Sequence, residues 1–385
     1  MGFKRARDSD NFSSVETSNS PRHPFLLQRG CQFRRAVANR PAVDVHGSAV
    51  VSTRGTQKKG HNLKPKVFVT RPLPQRAIDL LAAQCAVQVH PSDSALKPPQ
   101  LGEACRDVEG LLAVGVRVSE EVLSQAAKLR VVANCGVGYD NIDVAACSRR
   151  KIVVTNTPGV LTDTTADLAF ALLMAAARRV VEADRFVREG HWQRWEFGML
   201  WGADIHNKTL GIWGFGRIGQ ALARRGRGFD MKILYHSRRR SDETLERELE
   251  ACYVDRDTLL RESDFLSLHV PMTPETHHLI GADELRLMKP SAFLINTARG
   301  KVIDEEALVT ALKAKAIAGA GLDVFEHEPH LPPDLAKLEN VVLLPHVGSA
   351  TGETRLAMAM LAADNLLAAL EGRRPPNVVN AEVFD

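Results

Sequence analysis

Three short stretches in the second half of the chain end an apolar run in groups that can do chemistry: "INTARG", "GLDVFEHEP" and "LLPHVGSAT". They offer Arg299, the acids after Phe325 (Glu326 and Glu328) and His346. An imidazole can move a proton near neutral pH, a neighbouring carboxylate favours its charged form, and a guanidinium fork holds carboxylates. Singly, each has a plainer reading: a surface arginine, an acidic loop before proline, a structural histidine. What lifts them is their joint place beyond successive strand-like runs. In open α/β sheets, ligands bind outside the carboxyl ends of the strands, so these groups should converge.

A cofactor motif stands upstream. "TLGIWGFGRIGQALARR" sets Gly214, Gly216 and Gly219 in G-x-G-x-x-G spacing. The bare pattern is weak, but here an apolar run precedes it and a helical pattern (Ile218, Ala221, Leu222) follows, the context that dinucleotide binding requires. The first glycine permits a tight turn, the second lets backbone approach a pyrophosphate, and the third lets helix and strand pack closely. Arg217 and Ile218 then open a helix whose free N–H groups face the anion. About 20 residues on, an acid would accept from the ribose 2′-hydroxyl of NAD. This chain has "MKILYHSRRR" there, with no carboxylate. A serine hydroxyl and arginine forks would hold a 2′-phosphate, so Ser237, Arg238 and Arg239 point to NADP(H) as preferred cofactor, with NAD(H) second. Arg238 is the first choice for this contact, Arg239 or Arg240 the second, and the remaining arginine is expected to be solvated.

The elements that must position these groups form two alternating series. "KVFVT", "GLLAV", "LRVVANCG" and "IVVTNTP" alternate with amphipathic pieces and read as a small α/β unit. Six further runs, "TLGIWGFG" to "VVLLPHV", suit a doubly wound dinucleotide fold. Between the series, "TDTTADLAFALLMAAARRVVEADRFVREGHW" reads as one long helix, with Thr164 and Asp167 as its capping pair. A last helix, "ETRLAMAMLAADNLLAALEG", carries the chain back. The expected fold class is α/β: two Rossmann-like or flavodoxin-like parallel-sheet domains, the NAD(P)-binding one (164–351) inserted into a split substrate domain (64–163 plus 352–385).

Charge is uneven. The first 64 residues carry 12 of the 50 Lys and Arg against 4 of the 46 Asp and Glu, leaving 38 against 42 for the rest. The basic balance therefore belongs to the head, which does not support a nucleic-acid-binding body. Residues 1–63 read as a disordered basic extension, as a transit peptide, or as a start assigned upstream of the domain. The six cysteines (31, 85, 105, 135, 147 and 252) show no metal-ligand spacing, so no metal is expected. They read as reduced thiols of a cytoplasmic protein, and no run is long enough to span a membrane.

From Lys64 onward the chain resembles the D-isomer-specific 2-hydroxyacid dehydrogenase family, in its glyoxylate/hydroxypyruvate and 2-ketogluconate reductase branch. The resemblance is carried, in order, by "NCGVGYDNIDV", "TNTPGVLTDTTADLAFALL", "HNKTLGIWGFGRIGQALA", "VPMTPETHHLI", "INTARGKVIDEEAL", "AGAGLDVFEHEP" and "PHVGSAT". It implies that Arg299, Glu328 (rather than Glu326) and His346 are catalytic. It further implies that Asp323, Thr297, Ala298 and Gly348 hold the nicotinamide, and that Thr165, Val270 and Pro271 line the cofactor groove. Backbone at Gly115, Val137 and Gly138 would take the substrate carboxylate together with Arg299.

The reaction so implied is NADPH-preferring reduction of small 2-oxo acids such as glyoxylate, hydroxypyruvate and 2-ketogluconate, with His346 as general acid. A homodimer is expected, with the Trp-rich segment "HWQRWEFGMLWG" a candidate either for contacts to the substrate tail or for a dimer arm; neither nucleic acid nor membrane is an expected partner. Two other readings share the scaffold. An NAD(H)-sensing corepressor would want long regulatory tails, and only the basic head is a candidate. A phosphoglycerate dehydrogenase would often add a C-terminal domain, for which there is no room beyond His346, and would usually carry the acidic NAD position missing here.

Overall fold

The computed structural model describes residues 64–385; the basic head lies outside them. In chain order, the first series is β1 (Lys66–Val69), α1 (Gln75–Gln84), β2 (Ala86–Val89), α2 (Pro98–Ala104), β3 (Gly110–Ala113), α3 (Glu120–Gln125), β4 (Val131–Asn134), α4 (Val144–Arg149) and β5 (Val153–Thr155). Two crossover helices follow, α5 (Thr162–Ala177) and α6 (Val180–Arg188). The second series runs β6 (Thr209–Trp213), α7 (Arg217–Arg227), β7 (Lys232–His236), α8 (Glu243–Leu249), β8 (Ala251–Tyr253), α9 (Arg256–Glu262) and β9 (Phe265–Leu268). It ends with α10 (Ala282–Leu287), β10 (Phe293–Asn296), α11 (Glu305–Lys313), β11 (Gly319–Leu322), β12 (Val341–Leu343) and the return helix α12 (Gly352–Leu370).

Both sheets are parallel throughout. The five-stranded sheet has order β2-β1-β3-β4-β5 and the seven-stranded sheet β12-β11-β10-β9-β6-β7-β8. The second order reverses direction at β6 and β9, which creates the crevice where dinucleotides bind in such folds. Strand alternation explains why each sheet needs helices on both faces. In the first, Val67, Val69, Leu112, Val131 and Ala133 pack under α1 and α12. Phe68, Leu111, Ala113, Val132 and Val154 face α2, α3 and α4. In the second, Leu210, Ile212, Ile233 and Ile295 lie under α5 and α7, while Leu234, Leu266, Leu268 and Leu294 face α9, α10 and α11.

The fold class matches expectation, and three details differ. Two edge strands were missed: β2 ("AVQV") and β8 ("ACY") are short and half exposed, so they lack an apolar run. The crossover is two helices rather than one, because Arg179 takes a left-handed conformation (φ +52°) and its side chain turns onto Glu182 at 2.6 Å. Thr164 is not a cap: α5 begins two residues earlier, after Leu161. The Thr164 hydroxyl lies 2.6 Å from that of Thr354, where the first turns of α5 and α12 meet, and Asp167 pairs with Arg225. Among the described residues no helix is long and apolar enough to cross a membrane.

Candidate active site

The carboxyl ends of β10, β11 and β12 bring the expected polar groups to one place, and the two acids separate cleanly. Glu328 Oε2 lies 2.8 Å from His346 Nδ1, while Glu326 is turned to His278 Nε2 at 3.0 Å. The Phe325 N–H donates to Glu328 Oε1 (3.1 Å) and fixes the carboxylate's second oxygen. Burial would push the Glu328 carboxyl up. The His346 hydrogen bond and charge, the Phe325 N–H and nearby Arg299 outweigh that and hold it below its ordinary value. The loop carrying it is anchored from outside: buried Glu305, in the first turn of α11, accepts the Glu326 N–H at 2.7 Å. His346 itself sits at φ +55°, an unusual conformation for a residue with a side chain and one that clusters at functional sites.

Arg299 reaches across to the first sheet. Its Nε donates to Asp140 Oδ1 at 2.9 Å and its Nη1 to its own neighbour's carbonyl, Ala298, at 2.8 Å. The guanidinium lies so close to Gly138 that a Cβ there would fall 1.7 Å from Nη2, so a side chain at this position would have to displace the fork. Asn134, at the end of β4, holds this turn by donating to the Gly138 carbonyl (2.7 Å). Gly115 follows β3 with φ +60° beside the Arg71 guanidinium, and the Val137 carbonyl accepts from Asn156 at 2.8 Å. The expected substrate backbone therefore rims the end of one sheet while Arg299 projects from the other.

Asp323, just past β11, is nearly fully buried and accepts the N–H groups of Val347 (2.7 Å) and Gly348 (2.8 Å). Burial keeps its carboxyl above the ordinary value even with those donors and His346 nearby. The His346 N–H also donates to the Asp323 carbonyl, so one residue shapes the whole "HVG" turn. Thr165, buried in the first turns of α5, abuts Gly348. The Ala298 N–H donates to Asn296 Oδ1 (3.0 Å), and the Thr297 hydroxyl is buried with no partner among the described residues.

A nicotinamide dinucleotide fits these features. Gly214, at φ +99°, turns the chain against the His269 carbonyl. A Cβ at Gly219 would strike the Gly214 carbonyl at 2.3 Å, whereas Gly216 faces open space. The first turn of α7 (Arg217, Ile218, Gly219) leaves N–H groups without intrahelical partners beside that space. The orphaned Thr297 hydroxyl is a second polar group in want of a ligand. Val270 and Pro271 follow β9 on the adjoining turn. Beyond β7, Ser237 is half-buried and Arg238 and Arg239 are exposed. Arg240, the other candidate for the second contact, is exposed as well but forks onto Glu246.

Several groups that shape the site escaped sequence reading. Asp140 and Asn134 stand in the quoted "NCGVGYDNIDV" motif, which is a signal for both, but Asp140's partner lies 159 positions away. Glu305 reads as an ordinary acidic first turn of a helix. His269, whose Nε2 lies 2.8 Å from the Ser267 hydroxyl, is pushed down to about 4 by burial and is therefore neutral.

A family model, "D-isomer specific 2-hydroxyacid dehydrogenase, NAD binding domain", matches residues 170–348. A glyoxylate reductase from Thermococcus litoralis is 55% identical over 327 residues, 84% of this chain and 98% of that protein. One from Pyrococcus furiosus is 52% identical over 327 residues, 84% of this chain and 97% of that protein. Among solved structures, the NADPH-dependent glyoxylate/hydroxypyruvate reductase of Sinorhizobium meliloti, in complex with NADP and malonate, matches with a TM-score of 0.75 at 37% identity. That match covers 83% of this chain and 98% of the other. A glyoxylate reductase from Paecilomyes thermophila gives 0.75 at 33% identity, over 83% and 99%.

Proposed function

The chain belongs to the D-isomer-specific 2-hydroxyacid dehydrogenases, a nicotinamide-dependent oxidoreductase family, and from that premise we propose that it reduces small 2-oxo acids, glyoxylate and hydroxypyruvate first, with NADPH preferred. The observation that carries the reading is the 2.8 Å pairing of His346 Nδ1 with Glu328, set near a guanidinium. The names of the relatives support glyoxylate as a substrate, and the S. meliloti complex supports an NADP-type cofactor. 2-Ketogluconate is a further candidate with the same 2-oxo acid head.

The nicotinamide supplies the hydride when bound; everything else falls to side chains. Gly214, Gly216, Arg217, Ile218 and Gly219 would hold the pyrophosphate. Thr297, Ala298, Asp323, Gly348 and Thr165 would hold the nicotinamide, with Val270 and Pro271 along the groove. Arg299 would exchange its Asp140 partner for the substrate carboxylate and polarise the adjacent carbonyl, assisted by backbone at Gly115, Val137 and Gly138. His346, its Nδ1 engaged by Glu328, has Nε2 to donate a proton to the carbonyl oxygen. The carboxylate holds the ring in place for that step.

Ser237, Arg238 and Arg239 would select the 2′-phosphate. The exposed Trp192, Trp195, Phe197 and Trp201 beside α6, a helix with no buried residue, support a homodimer formed through this arm. Steady-state rates for a panel of 2-oxo acids, each with NADPH and NADH, test the reading. It expects the highest kcat/KM for glyoxylate or hydroxypyruvate with NADPH. Absence of turnover for every 2-oxo acid would overturn it.

A further inference from the structure

Three consecutive arginines follow β7, and the structure gives the third a different task from the first two. Arg240 Nε donates to Glu246 Oε1 at 2.9 Å and Nη2 to Oε2 at 2.8 Å, a two-pronged fork. Glu246 lies on α8 with its side chain only 9% exposed. A carboxylate so placed needs its oxygens paired. Its remaining partner is Tyr235, whose hydroxyl donates to Oε1 at 2.6 Å and itself accepts the Ser241 N–H at 2.8 Å.

This network ties both ends of the 237–241 turn. Tyr235 is fully buried on β7, and its ring stacks at 4.0 Å on Phe215, which stands between the first two glycines of the phosphate turn. Inside the turn, the Ser237 hydroxyl donates to the Arg239 carbonyl at 2.5 Å. Arg238 and Arg239 remain exposed at its tip.

We infer that Arg240, Glu246 and Tyr235 form a brace that holds the 2′-phosphate loop in register with the glycine turn, so that Arg240 positions Ser237, Arg238 and Arg239 and does not contact the cofactor. The inference rests on the proposed role of that loop in binding a 2′-phosphate. A buried acid is thereby a determinant of selectivity for an anionic group that it never meets. Without the fork, the loop keeps its charges but loses the geometry that aims them, and a fork's advantage over a point charge is geometric.

The test is steady-state kinetics of Glu246→Gln with each cofactor, alongside thermal unfolding. Glutamine removes the charge pairing with little change in volume. The expected result is a KM for NADPH raised about tenfold, the scale of one charge-assisted hydrogen bond, with KM for NADH within about twofold and kcat kept. Tyr235→Phe, which deletes only the hydroxyl that anchors Ser241, should raise KM for NADPH about threefold. It also serves as the test if Glu246→Gln fails to fold.

An unchanged or lower KM for NADPH in both variants would overturn the brace, because an arginine freed to reach the phosphate would help binding. Equal losses for both cofactors would overturn it too, as a merely structural effect. The double variant Arg238→Ala with Arg239→Ala separates the two levels. If it spares NADPH, the phosphate-loop reading fails; if it weakens NADPH while Glu246→Gln and Tyr235→Phe do not, only the brace fails.

Discussion

Two candidate site regions at the carboxyl edge of the second sheet are built in opposite ways. The His346 cluster gathers groups from turns after β10, β11 and β12 and from the first sheet, so its contacts join residues far apart in sequence. The arginine loop is local: Tyr235, Arg240 and Glu246 all lie within one strand-turn-helix segment. Acid–base chemistry needs several groups converging on one bond, which no single loop provides. Recognition of one phosphate needs only a rigid cationic tip. Changes in the first region should therefore reach every substrate and cofactor, while changes in the second should be read by one cofactor only.

Three experiments can break or sharpen that contrast. The largest effect is expected for His346→Gln: kcat should fall by about 10²–10⁴ with either cofactor, while NADPH binding measured by fluorescence titration stays within about twofold. A purified variant retaining most of its turnover would remove His346 from the proton-transfer role. Next, Arg238→Ala with Arg239→Ala should raise KM for NADPH by about tenfold to a hundredfold and KM for NADH by less than about threefold. Equal changes would erase the distinction between the two regions.

The smallest effect concerns stability. The Glu328 carboxyl lies below its ordinary value in the folded protein, so its contribution is full above the ordinary carboxylate range. That contribution is lost as pH falls through the lowered folded value. Wild type and Glu328→Gln should thus differ in thermal midpoint near neutrality and converge in acid. With the side chain about a third exposed, the gap will be modest; a gap that widens on acidification would contradict the pairing.

The same contrast sets what could be read from sequence. The buried strands were legible because parallel strands covered on both faces are near-continuous apolar runs, as in "FLIN" and "VVAN". The edge strands β2 and β8 were not, since half their side chains face outward. No glycine or proline marks the break between α5 and α6; it rests on Arg179 adopting a left-handed turn. The motifs named Arg299, Glu328 and His346, but motif spacing says nothing of Asp140, which meets Arg299 only after two sheets have folded. Likewise "RRR" cannot rank its members, because what distinguishes Arg240 is a partner six positions on along α8.

The return of α12 to the first sheet has a consequence for heredity and engineering. Every strand of the seven-stranded sheet, and the α5 helix that covers it, comes from one unbroken run of chain between residues 162 and 343. The five-stranded sheet needs two separate pieces, because Leu366, Leu367 and Leu370 of α12 close the face made by Val67, Val69 and Val131. Recombination can thus exchange the first as a single cassette with two junctions, near Thr164 and Thr354, which already lie side by side. Truncating the gene before Leu366 would instead strip the lid from a sheet face encoded more than 200 codons upstream, so a late stop codon would first damage the earliest-made part of the described fold.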